Sequence, residues 1–357
     1  MIQDILILSP NRVWRTYPGG KILDMIQGVP HPEDGNFPED WIGSTTRAIN
    51  RGREHLKEEG LSSIDTGGKR QTLHELIQQE PEALVGSDHF ERFGATTQFL
   101  VKFLDSAIRL HLQCHPTISF ARKHLNSNSG KTEAYVILRI RDEVREPYIY
   151  LGFQNPPDRK IFKKAIETQD ISEILSCFKK IPIKPGDVFI VPGGLPHAIG
   201  EGVFMVEIME PTDFAVRIEF DRGGYVLPQE ARFMGRDTDF ALSMFNFEKL
   251  PVEEVRARFF LSPRLLARHG DGAEYNLIDR EQTGCFRVKR LDVRGRLSKA
   301  EHSFYTGIVI DGSGVAVCSD REYPLARWDK FFVPFATEEI TFRSDAGMSI
   351  LTVFPPE

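Results

Sequence analysis

Cysteine is scarce in this chain, and the four present are scattered. Cys114, Cys177, Cys285 and Cys318 form no CxxC pair and no framework spacing, which excludes a structural zinc knuckle and reads as free buried thiols. Positive charge is not in excess: 45 Lys and Arg against 51 Asp and Glu leave a net charge of −6. There is no basic footprint for nucleic acid. Long apolar runs are missing too, since ILIL at 5–8 and VFIV at 188–191 fall far short of the roughly 18 residues of a membrane span. The opening MIQDILILSPNRVWR places an acid before a very short apolar stretch and offers no small-residue cleavage site, unlike a secretory signal. The expected location is the cytoplasm.

What remains is 357 residues with 41% hydrophobic and 27% charged content, an ordinary globular composition long enough for two cores. Short β-prone pieces (ILIL, NRVWRTY, WIGSTT) alternate with turn-rich stretches up to residue 50. EHLKEEGL and QTLHELIQQEPEALV then carry apolar residues at helical spacing, which predicts surface helices over about 53–93. TQFLVKFLDS, RLHLQCH, EAYVILRI and EPYIYLGF read as strands. A charged helical segment follows at 158–180, then the strands GDVFIVP, VFMVEIME and FAVRIEF. Residues 223–250 carry no strong periodicity, and strands resume from 257. PIKPGDVFIVPGGLPHAI at 182–199 is echoed by PLARWDKFFVPFATEEI at 324–340, pairing Pro182 with Pro324, Phe189 with Phe331 and Pro192 with Pro334. The position matching His197 is Glu339. These patterns predict two tandem β units, with chemistry in the first.

In HLQCHP at 111–116, alternation in a strand puts His111, Gln113 and His115 on one face with Arg109, and turns Cys114 to the other. GKTE opens directly into AYVILRI, which sets Glu133 at the mouth of a strand. In GDVFIVPGGLPH the spacing is glycine, five residues, proline, one, glycine, two, histidine, from Gly186 to His197. This is the second signature of the cupin superfamily, and Gln113, His115 and Glu133 supply the first in loosened form. The fold expected from it is mainly β: two tandem cupin jelly-roll barrels with a few helices inserted in and around the first. Residues 1–240 would be the catalytic metal-binding domain, and 250–357 a second cupin-like domain without metal ligands.

QCHP, GKTEAY, VPGGLPHAIG and EIMEPTDFAVRIEFDR, together with WRTYPGGK and FPEDWIGST, resemble the class I mannose-6-phosphate isomerases over roughly residues 11–222. The resemblance implies one zinc ion per chain held by Gln113, His115, Glu133 and His197, a mixed nitrogen and oxygen set suited to a divalent metal. It implies a catalytic Arg217 four residues after Asp213, with Lys131, Lys102 and Glu207 at further active-site positions and Trp41 at the substrate. The implied reaction interconverts mannose 6-phosphate and fructose 6-phosphate through a cis-enediolate. Such chemistry needs an oxyanion stabiliser and a proton shuttle. Arg217 suits the first task and, with its pKa above ~12, not the second; Lys131 or Glu207 suits the shuttle, with Asp213 holding Arg217. Arg109, Arg122, Lys123 and Lys131 are the cations available for a phosphate.

The chain departs from the resembled pattern at the pocket rim. His111 stands where serine is usual, TISFARKH follows the HP, and GGLPHA replaces GTxHA. His111 therefore reads as a substrate-lining group, and free mannose or another hexose is an alternative substrate. A cupin dioxygenase using iron, with His111 and His115 as its histidine pair, and a non-catalytic sugar-binding cupin are the rival functions. A small-molecule sugar phosphate is the expected partner, with neither nucleic acid nor membrane, and the chain acts as a monomer or dimer.

Overall fold

The computed structural model describes residues 2–66 and 68–357, and most of its secondary structure is antiparallel sheet. The chain folds into two compact units that interleave in sequence. One comprises residues 2–13, Asp40–Lys102 and Ser262–Glu357; the other comprises Trp14–Glu39 and Phe103–Leu261. These units do not follow the expected 1–240 and 250–357 division, because the chain passes between them within Glu39–Ile42 and again within Leu100–Asp105.

The first unit is organised by an eight-stranded sheet in which the long strand Ile340–Phe354 lies between Tyr305–Cys318 and Arg287–Lys299. Alternate positions such as Leu291, Val293, Phe342 and Ile350 are buried together on one face, the period of two that a strand imposes. Leu73–Gln79 is a helix with a full capping box between Thr72 and Glu75, and Pro81–Leu84 and Ser87–Phe93 follow it. EHLKEEGL, expected to be helical, forms turns instead, and a hairpin of Ser63–Thr66 with Lys69–Thr72 comes next. A stretch this short cannot offset the cost of helix nucleation, and Gly60 ends it at φ 92°.

The second unit holds a five-stranded sheet in the order Ile181–Pro182, Tyr148–Leu151, His197–Ile199, Gln113–Cys114, Val216–Arg217. It also holds the strands Phe260–Leu261, Val188–Val191, Glu133–Ile140 and Val203–Met209, paired in that order. The strand through HLQCHP is only two residues long, Gln113–Cys114, and Pro116 lies outside its ladder, where a missing N–H disrupts nothing. Alternation still sorts its side chains. Cys114 packs with Ala198 and Val216 into the core, where burial pushes its thiol pKa up, while Gln113, His197 and Arg217 take the opposite face. Behind that core lie the two helices expected at 158–180, Arg159–Thr168 and Ile171–Ser176, separated by Gln169 at φ 53°. Residues 223–250 also contribute: the helix Thr238–Ser243 buries Ala241 and Leu242 in the same core. The internal echo falls on corresponding strands, Val188–Val191 and Lys330–Val333, each with a fully buried phenylalanine, Phe189 or Phe331, and each followed by proline.

Candidate metal centre and active site

Three segments distant in sequence are locked together around two adjacent backbone carbonyls, those of His115 and Pro116. Lys131 N–H donates to Pro116 O at 2.9 Å, and Gly194 N–H donates to His115 O at 2.8 Å. Gly130 and Gly193 lie so close to Pro116 O that a Cβ on either would sit 2.6 or 2.5 Å from it. Only glycine permits that approach. Buried Glu210 fixes the same loop, accepting from Gly130 N–H and Thr132 N–H, each at 2.8 Å. HLQCHP, GKTE and PGGLPH thereby deliver their polar side chains to one place.

His115, Glu133 and His197 are buried, and their ligand atoms lie within 4.8 Å of one another. Glu133 Oε1 stands 3.1 Å from His115 Nε2, and Glu133 Oε2 stands 3.2 Å from His197 Nε2. The opposite ring nitrogens are occupied: His115 Nδ1–H donates to Phe214 O at 2.8 Å and His197 Nδ1–H to Leu195 O at 3.0 Å. A carbonyl only accepts, so Nδ1 carries the proton, and in the neutral ring Nε2 is left with a lone pair. Burial pushes the His115 pKa down to about 3, so its ring is neutral near pH 7. The adjacent His115 and Lys131 hold Glu133 well below the usual carboxylate range despite its burial. An imidazole lone pair therefore faces a carboxylate oxygen at 3.1 Å, an acceptor against an acceptor that a shared cation relieves. The donor set fits a divalent metal, and carbonyls fix both rings as outer partners of metal-bound histidines usually do.

Gln113 joins this group by register. It is the cross-strand partner of His197 on one side and of Arg217 on the other. Its amide nitrogen lies 3.4 Å from His197 Nε2, and a half-turn of the amide, whose two ends exchange freely, presents oxygen there instead. Lys131 Nζ sits 3.1 Å from Glu133 Oε1 and 3.5 Å from His115 Nε2. Tyr135 donates its phenolic hydrogen bond to Glu133 Oε2, and Glu207 is the cross-strand partner of Tyr135. Burial and the charges of Glu133 and Glu207 raise the Tyr135 pKa far above its ordinary value, keeping the phenol protonated as a donor.

A second buried network flanks Arg217. Arg15 gives Nη1 and Nη2 to Asp213 at 3.0 and 2.8 Å and stands 3.3 Å from Glu39, which accepts from Tyr17 at 2.5 Å. Asp213, expected to hold Arg217, thus has Arg15 as its bidentate partner, although its charge also favours the Arg217 cation. Burial, followed by the nearby Arg15 cation, lowers the Arg217 pKa, and the Arg217 guanidinium makes no hydrogen bond or ion pair among the described residues.

The remaining expected residues separate. Arg109 is buried with both oxygens of Glu219, at 2.7 and 2.5 Å, so its fork is filled from within the protein and is not presented to a ligand. Lys123 and Arg122 are exposed on the last turn of the helix Ile118–His124, as solvated ends rather than parts of the centre. Trp41 is fully buried, and a Cβ on Gly60 would lie 2.8 Å from its ring; it is a core residue with no surface for substrate. Lys102, also buried, places Nζ 6.0 Å from the Trp41 ring centroid, and both belong to the unit without the metal group. His111 is buried and does not join the ligand cluster, which removes the histidine pair of the dioxygenase reading. Arg15, Tyr17, Glu39, Tyr135, Glu210 and Glu219 complete the surroundings. WRTYPGGK, FPEDW and GKTEAY contain four of them, but no spacing rule singles them out.

An antiparallel β unit brings His115, Glu133 and His197 together from distant segments into a buried group that could hold a metal ion. Solved structures agree over the whole chain: the mannose 6-phosphate isomerase of Bacillus subtilis superposes with a TM-score of 0.72, at 21% identity over 98% of this chain and 99% of that one. A phosphomannose isomerase from Salmonella typhimurium gives 0.70 at 16% identity, over 99% and 100%. In sequence, "Probable mannose-6-phosphate isomerase GmuF" of B. subtilis is 27% identical over 296 residues, 82% of this chain and 85% of that protein. Mannose-6-phosphate isomerase ManA of the same organism is 27% identical over 288 residues, 78% and 81% of the two chains. No family model matches the chain. In sequence the chain is similar to mannose-6-phosphate isomerases over about four fifths of its length, and it shares the fold of solved members.

Proposed function

We propose that the protein is a zinc-dependent aldose-ketose isomerase interconverting mannose 6-phosphate and fructose 6-phosphate through a cis-enediolate. The observation that carries this reading is the imidazole-carboxylate contact in the His115, Glu133 and His197 group, with an unpaired Arg217 one strand position from Gln113. Gln113, His115, Glu133 and His197 would hold the metal, which when bound supplies Lewis-acid stabilisation for the oxygens on C1 and C2. A neutral glutamine in the set leaves more positive charge there than a second carboxylate would. Arg217 supplies a fixed cation beside the developing enediolate. Lys131, 3.1 Å from Glu133 Oε1, is placed at the reacting end and is assigned the proton transfer between C2 and C1, with Glu207 as the alternative. Arg15 and Asp213 position Arg217. We assign the metal chemistry to the part of residues 1–240 that carries these ligands and none to 250–357, and we place the reaction in the cytoplasm. No helix among the described residues is long and apolar enough to cross a membrane.

A coupled assay comparing mannose 6-phosphate with free mannose tests this directly. The zinc-loaded wild type is expected to turn over the phosphate ester in preference to the free sugar, while Arg217→Ala and His197→Ala lose most activity. Equal activity in all three proteins overturns the site assignment, and preference for free mannose replaces the substrate.

A further inference from the structure

His111 is 3% exposed, and its Nε2 is a buried polar atom with no hydrogen-bond partner among the described residues. The great majority of buried polar atoms in native proteins are paired, so such an atom calls for a reason. Its neighbours supply no partner. Glu219, the nearest carboxylate along the strand pairing, gives its oxygens to Arg109 and to the Leu112 N–H at 2.7 Å. Arg222 donates to Arg109 O. Arg217 is a donor whose own guanidinium has no partner. Two unfilled groups, one on a residue two positions before Gln113 and the other directly across from Gln113, adjoin the same stretch of the metal-bearing face.

We infer that His111 is a specificity-determining residue that hydrogen-bonds a hydroxyl of an open-chain hexose phosphate, beyond C2, while Arg217 engages the same ligand. The inference rests on the sugar-isomerase reading and extends it to the part of the substrate that does not react. A hydroxyl is favoured over the phosphate on chemical grounds. The open Nε2 is a donor or an acceptor according to the tautomer, and a hydroxyl can meet it in either role, whereas guanidinium forks match phosphate oxygens better. The span agrees: two residues of extended chain separate His111 from Gln113 by roughly 7 Å. With the carbonyl end of the sugar at the ligand group, the C4 and C5 region lies against His111.

Calorimetric binding of mannitol 6-phosphate, which has no carbonyl and cannot isomerise, and of its 4-deoxy and 5-deoxy analogues tests this on metal-loaded protein. His111→Ala is expected to bind the parent alditol about tenfold more weakly. One deoxy analogue should bind the wild type about equally weakly, yet bind His111→Ala no worse than the parent does, since the same contact cannot be lost twice. His111→Gln, whose amide reaches the position of Nε2, should restore much of the affinity, and metal content should be unchanged in both variants. Unaltered binding by both variants, or losses that add for both analogues, overturns the inference while leaving the isomerase reading intact. If His111→Ala does not fold, His111→Phe, which keeps a ring but has no nitrogen to hydrogen-bond, completes the same cycle: discrimination between analogues that Phe leaves unchanged overturns the inference. A wild type that isomerises no hexose phosphate and binds no alditol phosphate overturns the proposed function instead.

Discussion

Arg15 grips both carboxylate oxygens of Asp213, at 3.0 and 2.8 Å, four residues before the unpaired Arg217. The pairing has a consequence for the active site. An Asp213 committed to Arg15 leaves the Arg217 cation available to a substrate, whereas an Asp213 without its partner is a buried anion that draws Arg217 in. Arg15→Ala is therefore expected to lower kcat/KM by about tenfold or more and to destabilise the fold by about 3–5 kcal/mol, the usual cost of removing one member of a buried ion pair. Denaturant melts and steady-state kinetics check the two effects. Arg15→Ala combined with Asp213→Asn should recover part of the stability, because the stranded charge is then removed.

The grouping of His115, Glu133 and His197 is legible in the sequence because its spacing is short-range: GDVFIVPGGLPH and GKTE each encode a glycine turn that hands one side chain inward, and Gly193 and Gly130 pack against Pro116 O. The Arg15 network was not legible. Its partners are 198 residues apart, and no local pattern distinguishes an arginine aimed at such a partner from one in solvent. Arg109 shows the same limit. Alternation places it on a face, but only the fold shows Glu219 already filling its fork. The resemblance puts Trp41 at the substrate, whereas close packing against Gly60 buries it completely. In EHLKEEGL, helical periodicity is present and helix is not, since too few residues support it before Gly60 turns the chain.

Tyr135 lies within an apolar strand run and looks like core, but its hydroxyl serves the centre by donating to Glu133 Oε2. Tyr135→Phe keeps the ring and its packing against Phe189, 5.1 Å away between centroids, while freeing a carboxylate that the phenol had oriented. Loss of such an outer partner typically lowers metal affinity 10–100-fold. Competition with a chelator of known affinity, read by metal analysis, should place the variant in that range, with a melting profile of the metal-free protein close to wild type.

Removing the metal should be felt in stability as well as in activity. A ligand that binds only the folded state stabilises it by RT ln(1 + [L]/Kd), about 4 kcal/mol at a thousandfold excess over Kd. Treatment with a chelator is therefore expected to lower Tm and to abolish turnover, and added zinc to reverse both. Glu133→Gln should show neither response, because an amide supplies less charge to a group that includes two histidines and Gln113. A chelator-induced fall in Tm that persists in Glu133→Gln would place the metal elsewhere.

Acid stability of the metal-free protein reports how buried His111 and His115 are held. Burial depresses both His111 and His115 to a pKa of about 3, with Arg217 and Lys131 adding repulsion at the respective rings. Each ring stays neutral in the fold while the unfolded chain takes up its proton near pH 6.5. The folded pKa values are lowered, so the contribution is fully present above about pH 6.5 and is lost as pH falls through the window between 6.5 and 3. Within that window the slope is about 1.4 kcal/mol per pH unit for each histidine. Glu133, itself held low by His115 and Lys131, adds a loss of the same sign once pH drops below the ordinary carboxylate range. Chemical denaturation of chelator-treated protein at pH 7, 6 and 5 should therefore show stability falling with acid before carboxylates titrate. His111→Gln, which has no proton to gain, should remove about half of the histidine slope; an unchanged slope would mean that His111 takes up its proton in the fold as readily as in the unfolded chain.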